Sequence, residues 1–332
     1  MSTFDGWDGW DGWDGWDGWD GWDGWDGWDG WTVAKPSRSN ASGLGLARTR
    51  ELLVLGPPPV ALGKPKNWPT LRGADALQSV SPNVRRQILV ADLGSYLTVH
   101  GAGDSVALSE IADTQSKPVP LGGALSAPAL SLLQEQIAQV EAKATERAAR
   151  SAEIMAQLRF NPMFWANVLP LNPRTTPQTL ELLLVAVAFA SNIVQRTKLI
   201  FNLPRPHELS PRIQPLITTP GYSTYPSGHG TESHLVAALL HRLVAAGMPD
   251  PGAQDPAQRE WLSQLKKMMG VLANRITDNR VVAGIHYPVD GEGGVQLAER
   301  LASFLLKRAE LPATAHNAFP WLWKKAAAEW TM

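Results

Sequence analysis

The stretch TLELLLVAVAFASNIVQRTKLIFNLPRP, residues 179–206, decides the reading of the fold. Nine consecutive apolar residues run from Leu182 to Ala190, and no charged residue interrupts the segment between Glu181 and Arg196. A helix over Thr179 to Lys198 that is apolar on every side belongs in the middle of a core. It ends on a cation, Lys198, and Arg205-Pro206 follows after the six residues Leu199 to Pro204. A charge at the core end of such a helix needs a fixed partner of opposite sign.

Working outward, the same period recurs. Leu133, Ile137, Val140, Ala144, Ala148, Ser151, Met155 and Leu158 step by three and four residues and predict a helix. Further helices are expected over Glu232 to Ala246, Gln264 to Ala283 and Leu297 to Lys307. Strand-like alternation is confined to a short run near Ser95 to Val99. The expected fold class is therefore all-α, a helical bundle with long connecting loops that begins near residue 86.

Chemistry gathers in those loops. Tyr225-Pro226-Ser227-Gly228-His229 opens a helix, where the first backbone N–H groups are free and glycine lets an anion approach closely. Arg280 lies four residues after Ile276 and seven after Ala273, on the apolar stripe of its helix. His286 and Asp290 follow. Three cations, a helix N-terminus and two histidines describe a pocket for a small, highly charged oxyanion. The remaining histidines read as ordinary: His234 is turned about 140° from His229 around the helix, and His100, His207, His241 and His316 stand in no motif.

The rest of the 332-residue chain bounds the alternatives. Residues 5–31 are nine tandem copies of Asp-Gly-Trp. Their period of three fits neither strand nor helix, so residues 1–31 are expected to be a disordered low-complexity tail. Residues 32–85, rich in Pro, Ser and Gly, read as an extended lead-in, and residues 86–332 as the catalytic domain. Without the nine aspartates of the repeat, the formal net charge of −1 becomes +8, which favours an anionic partner. No Lys/Arg-rich run points to nucleic acid. The absence of cysteine removes disulfide scaffolds, thiolate metal sites and cysteine nucleophiles together. No signal-peptide pattern opens the chain, and nine apolar residues fall short of the roughly 20 of a membrane span. A soluble, cytoplasmic protein is expected, with a periplasmic or secreted location left open.

Familiar catalytic templates fail. Tyr225 stands where a Gly-x-Ser-x-Gly elbow around Ser227 needs glycine. His229, Glu232 and His234 lack the His-Glu-x-x-His order of zinc proteases, and no Gly-x4-Gly-Lys-Ser/Thr loop occurs. Gly43-x-Gly45 does not follow a strand and carries no dinucleotide reading.

The ordered set Lys198, Arg205-Pro206, Pro226-Ser227-Gly228-His229, Arg280, His286 and Asp290 resembles the vanadium haloperoxidase / type 2 phosphatidic acid phosphatase (PAP2) superfamily. Asn279 stands where that pattern carries serine, and asparagine still offers a donor. A looser likeness to bacterial vanadium haloperoxidases extends from Arg150 to Glu299. It includes the Tyr-x-x-Tyr-Pro-Ser-Gly-His-Gly-Thr run and the Ala-Gly-Ile-His-Tyr-Pro run.

The resemblance implies the helical bundle of that superfamily and vanadate as cofactor, with phosphate able to occupy the same site. His286 would be the nitrogen ligand of the metal, with Asp290 behind it orienting the ring. Lys198, Arg205, Arg280, Ser227 and the Gly228 N–H would hold the oxygens, and His229 would be the general acid/base. Hydrogen peroxide and a halide would be the substrates and hypohalous acid the product, with Lys198 polarising the peroxide. An organic acceptor and a homodimer are further implications by analogy. Tyr222, seven residues before His229, occupies the position that carries Phe in described chloroperoxidases and His in bromoperoxidases, which favours bromide or iodide. The alternative is a soluble acid phosphatase in which His286 forms a phosphohistidine.

Overall fold

The computed structural model describes residues 72–111, 117–248 and 255–331. The expectations for the Asp-Gly-Trp tail and for the lead-in up to residue 71 fall outside these. All described residues lie within one compact unit, Pro69–Met332. Helical structure starts earlier than residue 86, with a 3₁₀ turn over Gly73–Ser79 and helix α1 over Pro82–Ser95.

The helices that follow are α2 (Leu130–Lys143), α3 (Arg147–Ala156), α4 (Pro177–Phe201), α5 (Pro206–Leu209), α6 (Gly228–Ala246), α7 (Pro256–Val282), α8 (Pro288–Ala309) and α9 (Phe319–Ala328). The all-α reading holds, and α4 is the central helix: from Leu180 to Val187 each side chain is buried. Its start is closed from far along the chain. The Glu329 carboxylate accepts the Gln178 and Thr179 N–H groups at 2.7 and 2.8 Å, which neutralises the positive end of the helix. Its end is set by Asn202, at φ +46°, whose N–H bonds the Lys198 carbonyl.

One expectation is corrected here. The segment Pro177–Leu209 has an apolar window of mean hydropathy 1.5, long and apolar enough to cross a membrane by length and composition. Counting only uninterrupted apolar residues overlooked Leu180 before Glu181 and Ile193-Val194 beyond Ser191-Asn192, which keep the window mean high. In this fold 72 % of that window is buried inside the protein, as in the core helix of a bundle.

The stripe drawn from Leu133 to Leu158 is two helices. A 3₁₀ turn, Ala144–Glu146, joins α2 to α3. Three residues per turn in place of 3.6 rotate the second helix relative to the first. Leu133, Ile137 and Val140 remain buried, but Met155 and Leu158 are exposed and Ile154 takes the inward position.

The strand signal near Ser95 to Val99 is the edge of a larger element. β1 (Leu97–Ala102) and β2 (Ser105–Glu110) form an antiparallel hairpin through Gly103, at φ +60°. β3 (Val119–Pro120) and β4 (Leu125–Ser126) pair with β2 in the same four-stranded sheet.

Helices α6, α7 and α8 carry the site together with the end of α4 and the start of α5, and α8 begins at Pro288, nine residues before the expected Leu297. Its first turns hold Gly291, Gly293 and Gly294, which blur the apolar period. They are there for close approach: a Cβ on Gly293 would lie 2.3 Å from the Tyr225 ring, and one on Gly294 2.9 Å from the Ser227 carbonyl. Those neighbours are the loop that opens α6. Gly294→Ala is expected to lower stability by about 1–3 kcal/mol through overpacking, and to weaken anion binding with it, because the loop must move. Thermal melts with and without phosphate check both effects.

Candidate active site

The three site cations come from three different elements. Lys198 lies in the last turn of α4, Arg205 immediately precedes α5, and Arg280 lies in the last turn of α7. They are 2 %, 2 % and 0 % exposed. Among the described residues none of the three forms a salt bridge. Lys198 Nζ donates to the Ser223 and Thr224 carbonyls at 2.6 and 2.7 Å. Arg205 donates from Nε to the Tyr222 carbonyl (3.0 Å) and from Nη1 to the Ile285 carbonyl (2.9 Å). Arg280 donates to the Gln157 and Ile154 carbonyls and to Gln157 Oε1, at 3.2 to 3.4 Å, and its buried Nε has no partner.

Three sealed cations whose hydrogen bonds go only to neutral carbonyls carry a large desolvation cost, which nearby carboxylates (Asp290, Glu232, Glu208 and Glu153) offset only in part. The cost appears in their acidity. Burial, then Arg205, pulls Lys198 down to about 7, and burial pulls Arg280 down to about 10. Burial lowers Arg205 as well.

The two histidines sit on opposite fastenings. His286 Nδ1 lies 2.7 Å from Asp290 Oδ2, which leaves Nε2 as the ring nitrogen with an available lone pair. Asp290 is fully buried in the first turn of α8, and the same oxygen accepts the Tyr287 N–H and the Thr224 hydroxyl. This orients the imidazole from behind, as a carboxylate does for a ligating histidine. His229 Nε2 bonds the Gln157 carbonyl at 2.8 Å, the oxygen that Arg280 also uses. The Phe160 ring meets His229 edge-on, 6.2 Å between centroids. Burial, then Arg280, holds His229 down to about 3, and burial holds His286 down to about 4 against the pull of Asp290. Negative charge placed beside either ring would raise it again.

Ser227 caps α6 and accepts the Gly230 N–H, while its own N–H donates to the Asp290 carbonyl at 2.8 Å. The Gly228 and His229 N–H groups are then the unpaired donors of the first turn. The peptide between Tyr225 and Pro226 is cis. Tyr222 is 48 % exposed and lays its ring over Lys198 Nζ (5.4 Å) and Arg205 (5.3 Å), as a partial cover on the cation pair.

The structure thus brings Lys198, Arg205, Tyr222, Ser227, Gly228, His229, Arg280, His286 and Asp290 into one network through the carbonyls of Gln157, Ser223, Thr224 and Ile285. Asn279 is a donor, as expected, and its partners lie on and beside α3. Its amide donates to Glu153 and Gln157, both at 2.8 Å, and so ties α7 to α3. Thr224 and Gln157 are site residues that the sequence pattern did not single out. Among the described residues no group of three His, Cys, Asp or Glu is placed to hold a bare metal ion. A cavity of about 290 Å³ lined by Glu141, Arg147, Arg212 and Ile213 among others contains none of the site residues.

With this geometry in place, residues 180–310 match the family model of the PAP2 superfamily. The matched span contains all the site residues named above except those of the 153–160 segment. Most of the site is built on the matched region. No curated protein matches the chain.

Proposed function

We propose that this protein is a vanadate-dependent haloperoxidase that uses hydrogen peroxide to oxidise bromide or iodide to hypohalous acid. The observation that carries the reading is the set of three buried cations that form no salt bridge among the described residues, gathered near a carboxylate-backed histidine. Such a site is complete only with an oxyanion in it. The orphaned Arg280 Nε, the unpaired N–H groups of the α6 first turn and the free His286 Nε2 fit vanadate. His286 would ligate it, while Lys198, Arg205, Arg280, Ser227 and the Gly228 N–H would hold its oxygens. When bound, the metal supplies Lewis acidity without a change of oxidation state.

The residues themselves do the rest. Asp290 keeps the Nδ1 proton of His286 in place. His229 takes up and returns a proton at its ring once the pocket holds negative charge. Lys198, with one N–H left after its two carbonyl bonds, directs it at a substrate oxygen. The near-complete burial of the cations suits small reactants such as peroxide and halide, and the runs Tyr222–Thr231 and Ala283–Pro288 resemble haloperoxidases. A soluble protein is the reading that the burial of α4 supports, and a cytoplasmic location and a homodimer remain part of the proposal.

A soluble acid phosphatase is the second reading, favoured by the PAP2 match itself. The same pocket stabilises five-coordinate phosphorus, with His286 Nε2 as nucleophile and His229 as acid to the leaving group. Peroxide-dependent bromide and iodide oxidation, followed as vanadate is titrated into metal-free full-length protein, separates the two. Saturable halide oxidation supports the haloperoxidase. Ester hydrolysis that vanadate merely inhibits assigns the phosphatase.

Tyr222 offers a finer test. Its ring covers Lys198 and Arg205 at the exposed side of the site. Tyr222→Phe is expected to raise chloride oxidation relative to bromide, read as the ratio of kcat/KM values. An unchanged ratio assigns the ring to packing.

A further inference from the structure

Thr224 lies in the loop before α6 and is fully buried. Each of its polar atoms is committed. Its N–H donates to the Leu203 carbonyl at 3.0 Å, just past the end of α4. Its carbonyl accepts from Lys198 Nζ at 2.7 Å. Its hydroxyl donates to Asp290 Oδ2, and Oγ1 lies 3.2 Å from His286 Nδ1. A threonine hydroxyl has one hydrogen to give. With that hydrogen on the carboxylate, the oxygen meets Nδ1 as an acceptor, so the two contacts together place the ring proton on Nδ1. The other donors to Oδ2 are the Tyr287 N–H and His286 Nδ1, both within four residues of Asp290. Asp290 Oδ1 is buried and has no partner. Among the described residues, Thr224 is therefore the one fastening that holds this carboxylate from outside its own stretch of chain.

We propose that Thr224 is a positioning residue for both His286 and Lys198. Its hydroxyl fixes the Asp290–His286 pair so that the ring keeps its proton on Nδ1 and its lone pair on Nε2, and its carbonyl sets the direction of the Lys198 ammonium. The inference rests on the oxyanion reading of the pocket, which both functional alternatives share. Hydroxyl and carbonyl belong to one sealed residue, so the ring nitrogen and the cation are registered against each other. Removing the hydroxyl leaves a buried carboxylate short of a donor. The carboxylate is then free to rotate, and the imidazole it holds turns with it.

Thr224→Val keeps the shape and the carbonyl and removes the hydroxyl, and the test uses the full-length protein. In metal-free protein with 15N-labelled histidines, the Nδ1–H signal of His286 is identified by its loss in His286→Ala. In Thr224→Val this proton is expected to exchange with water about tenfold faster, as for the loss of one hydrogen bond to a charged group. The kcat for halide oxidation or ester hydrolysis, whichever the protein shows, falls about 10- to 100-fold. Phosphate affinity, read by calorimetry, falls less than kcat, because the carbonyl still holds Lys198. Thr224→Ser, which keeps the hydroxyl, restores the slow exchange and most of the rate. If the valine variant does not fold, Thr224→Ala takes its place with the same expectations. Wild-type exchange in the variant that lacks the hydroxyl overturns the proposal and leaves the oxyanion site standing. A serine variant as impaired as the valine one overturns it too, since packing of the methyl group would then be what counts. A wild type with neither activity overturns the functional readings, and the exchange comparison still decides the role of Thr224.

Discussion

Replacing His286 with alanine is expected to lower turnover at least a thousandfold, on the scale of losing one member of a catalytic unit that acts as a whole (about 10⁴ to 10⁶). The expectation covers vanadate-dependent halide oxidation and ester hydrolysis alike, because both readings assign the reacting nitrogen to His286. Overall structure should survive, since the ring makes its hydrogen bonds through Nδ1 to Asp290 and Thr224. Asp290→Asn should cost less, about 10- to 100-fold, as for a group that acts through its neighbour. The amide still accepts at its oxygen, but it lets the imidazole turn and no longer favours the Nδ1–H tautomer. Steady-state rates on both substrates, with near-UV circular dichroism for packing, check the pair. A His286→Ala variant with near-normal activity would remove the site from this part of the fold.

Arg280→Lys is expected to be nearly as damaging, a loss of about 100-fold or more in anion affinity and turnover. The guanidinium reaches two carbonyls and one amide oxygen of the 154–157 segment and still leaves Nε unpaired. A lysine keeps the charge but cannot satisfy a planar set of acceptors and face an oxyanion at the same time. Because Arg280 and His229 share the Gln157 carbonyl, the substitution should also move the pH profile attributed to His229. Phosphate or vanadate binding by calorimetry, and kcat against pH, read the two effects separately. Unchanged affinity in Arg280→Lys would mean that the charge alone suffices.

The residues legible in the sequence are those whose local context announces them. Pro226, Ser227, Gly228 and His229 open a helix, and Arg280 interrupts an otherwise apolar stripe behind Ala273 and Ile276. Gln157 could not be read in this way, because it serves His229 through a backbone carbonyl that any residue supplies. Thr224 matters only because the fold brings α8 back to it. The helices were legible where the apolar period was unbroken, as in α4. They were misplaced where another demand overrode it, at the 3₁₀ turn before Arg147 and at the glycines of α8. The sheet escaped because two of its strands are two residues long and β1 carries His100 and Gly101 among its few apolar residues.

The Glu329 cap on α4 has a consequence for the order of events during synthesis. The helix that delivers Lys198 is fastened at its start by a residue about 150 positions later, whose neighbour Trp330 also bonds Thr179 through its indole N–H. A nascent chain whose motif loops have all emerged from the ribosome still lacks that fastening. The start of the helix that carries Lys198 is therefore fastened only once residues 329 and 330 have reached it.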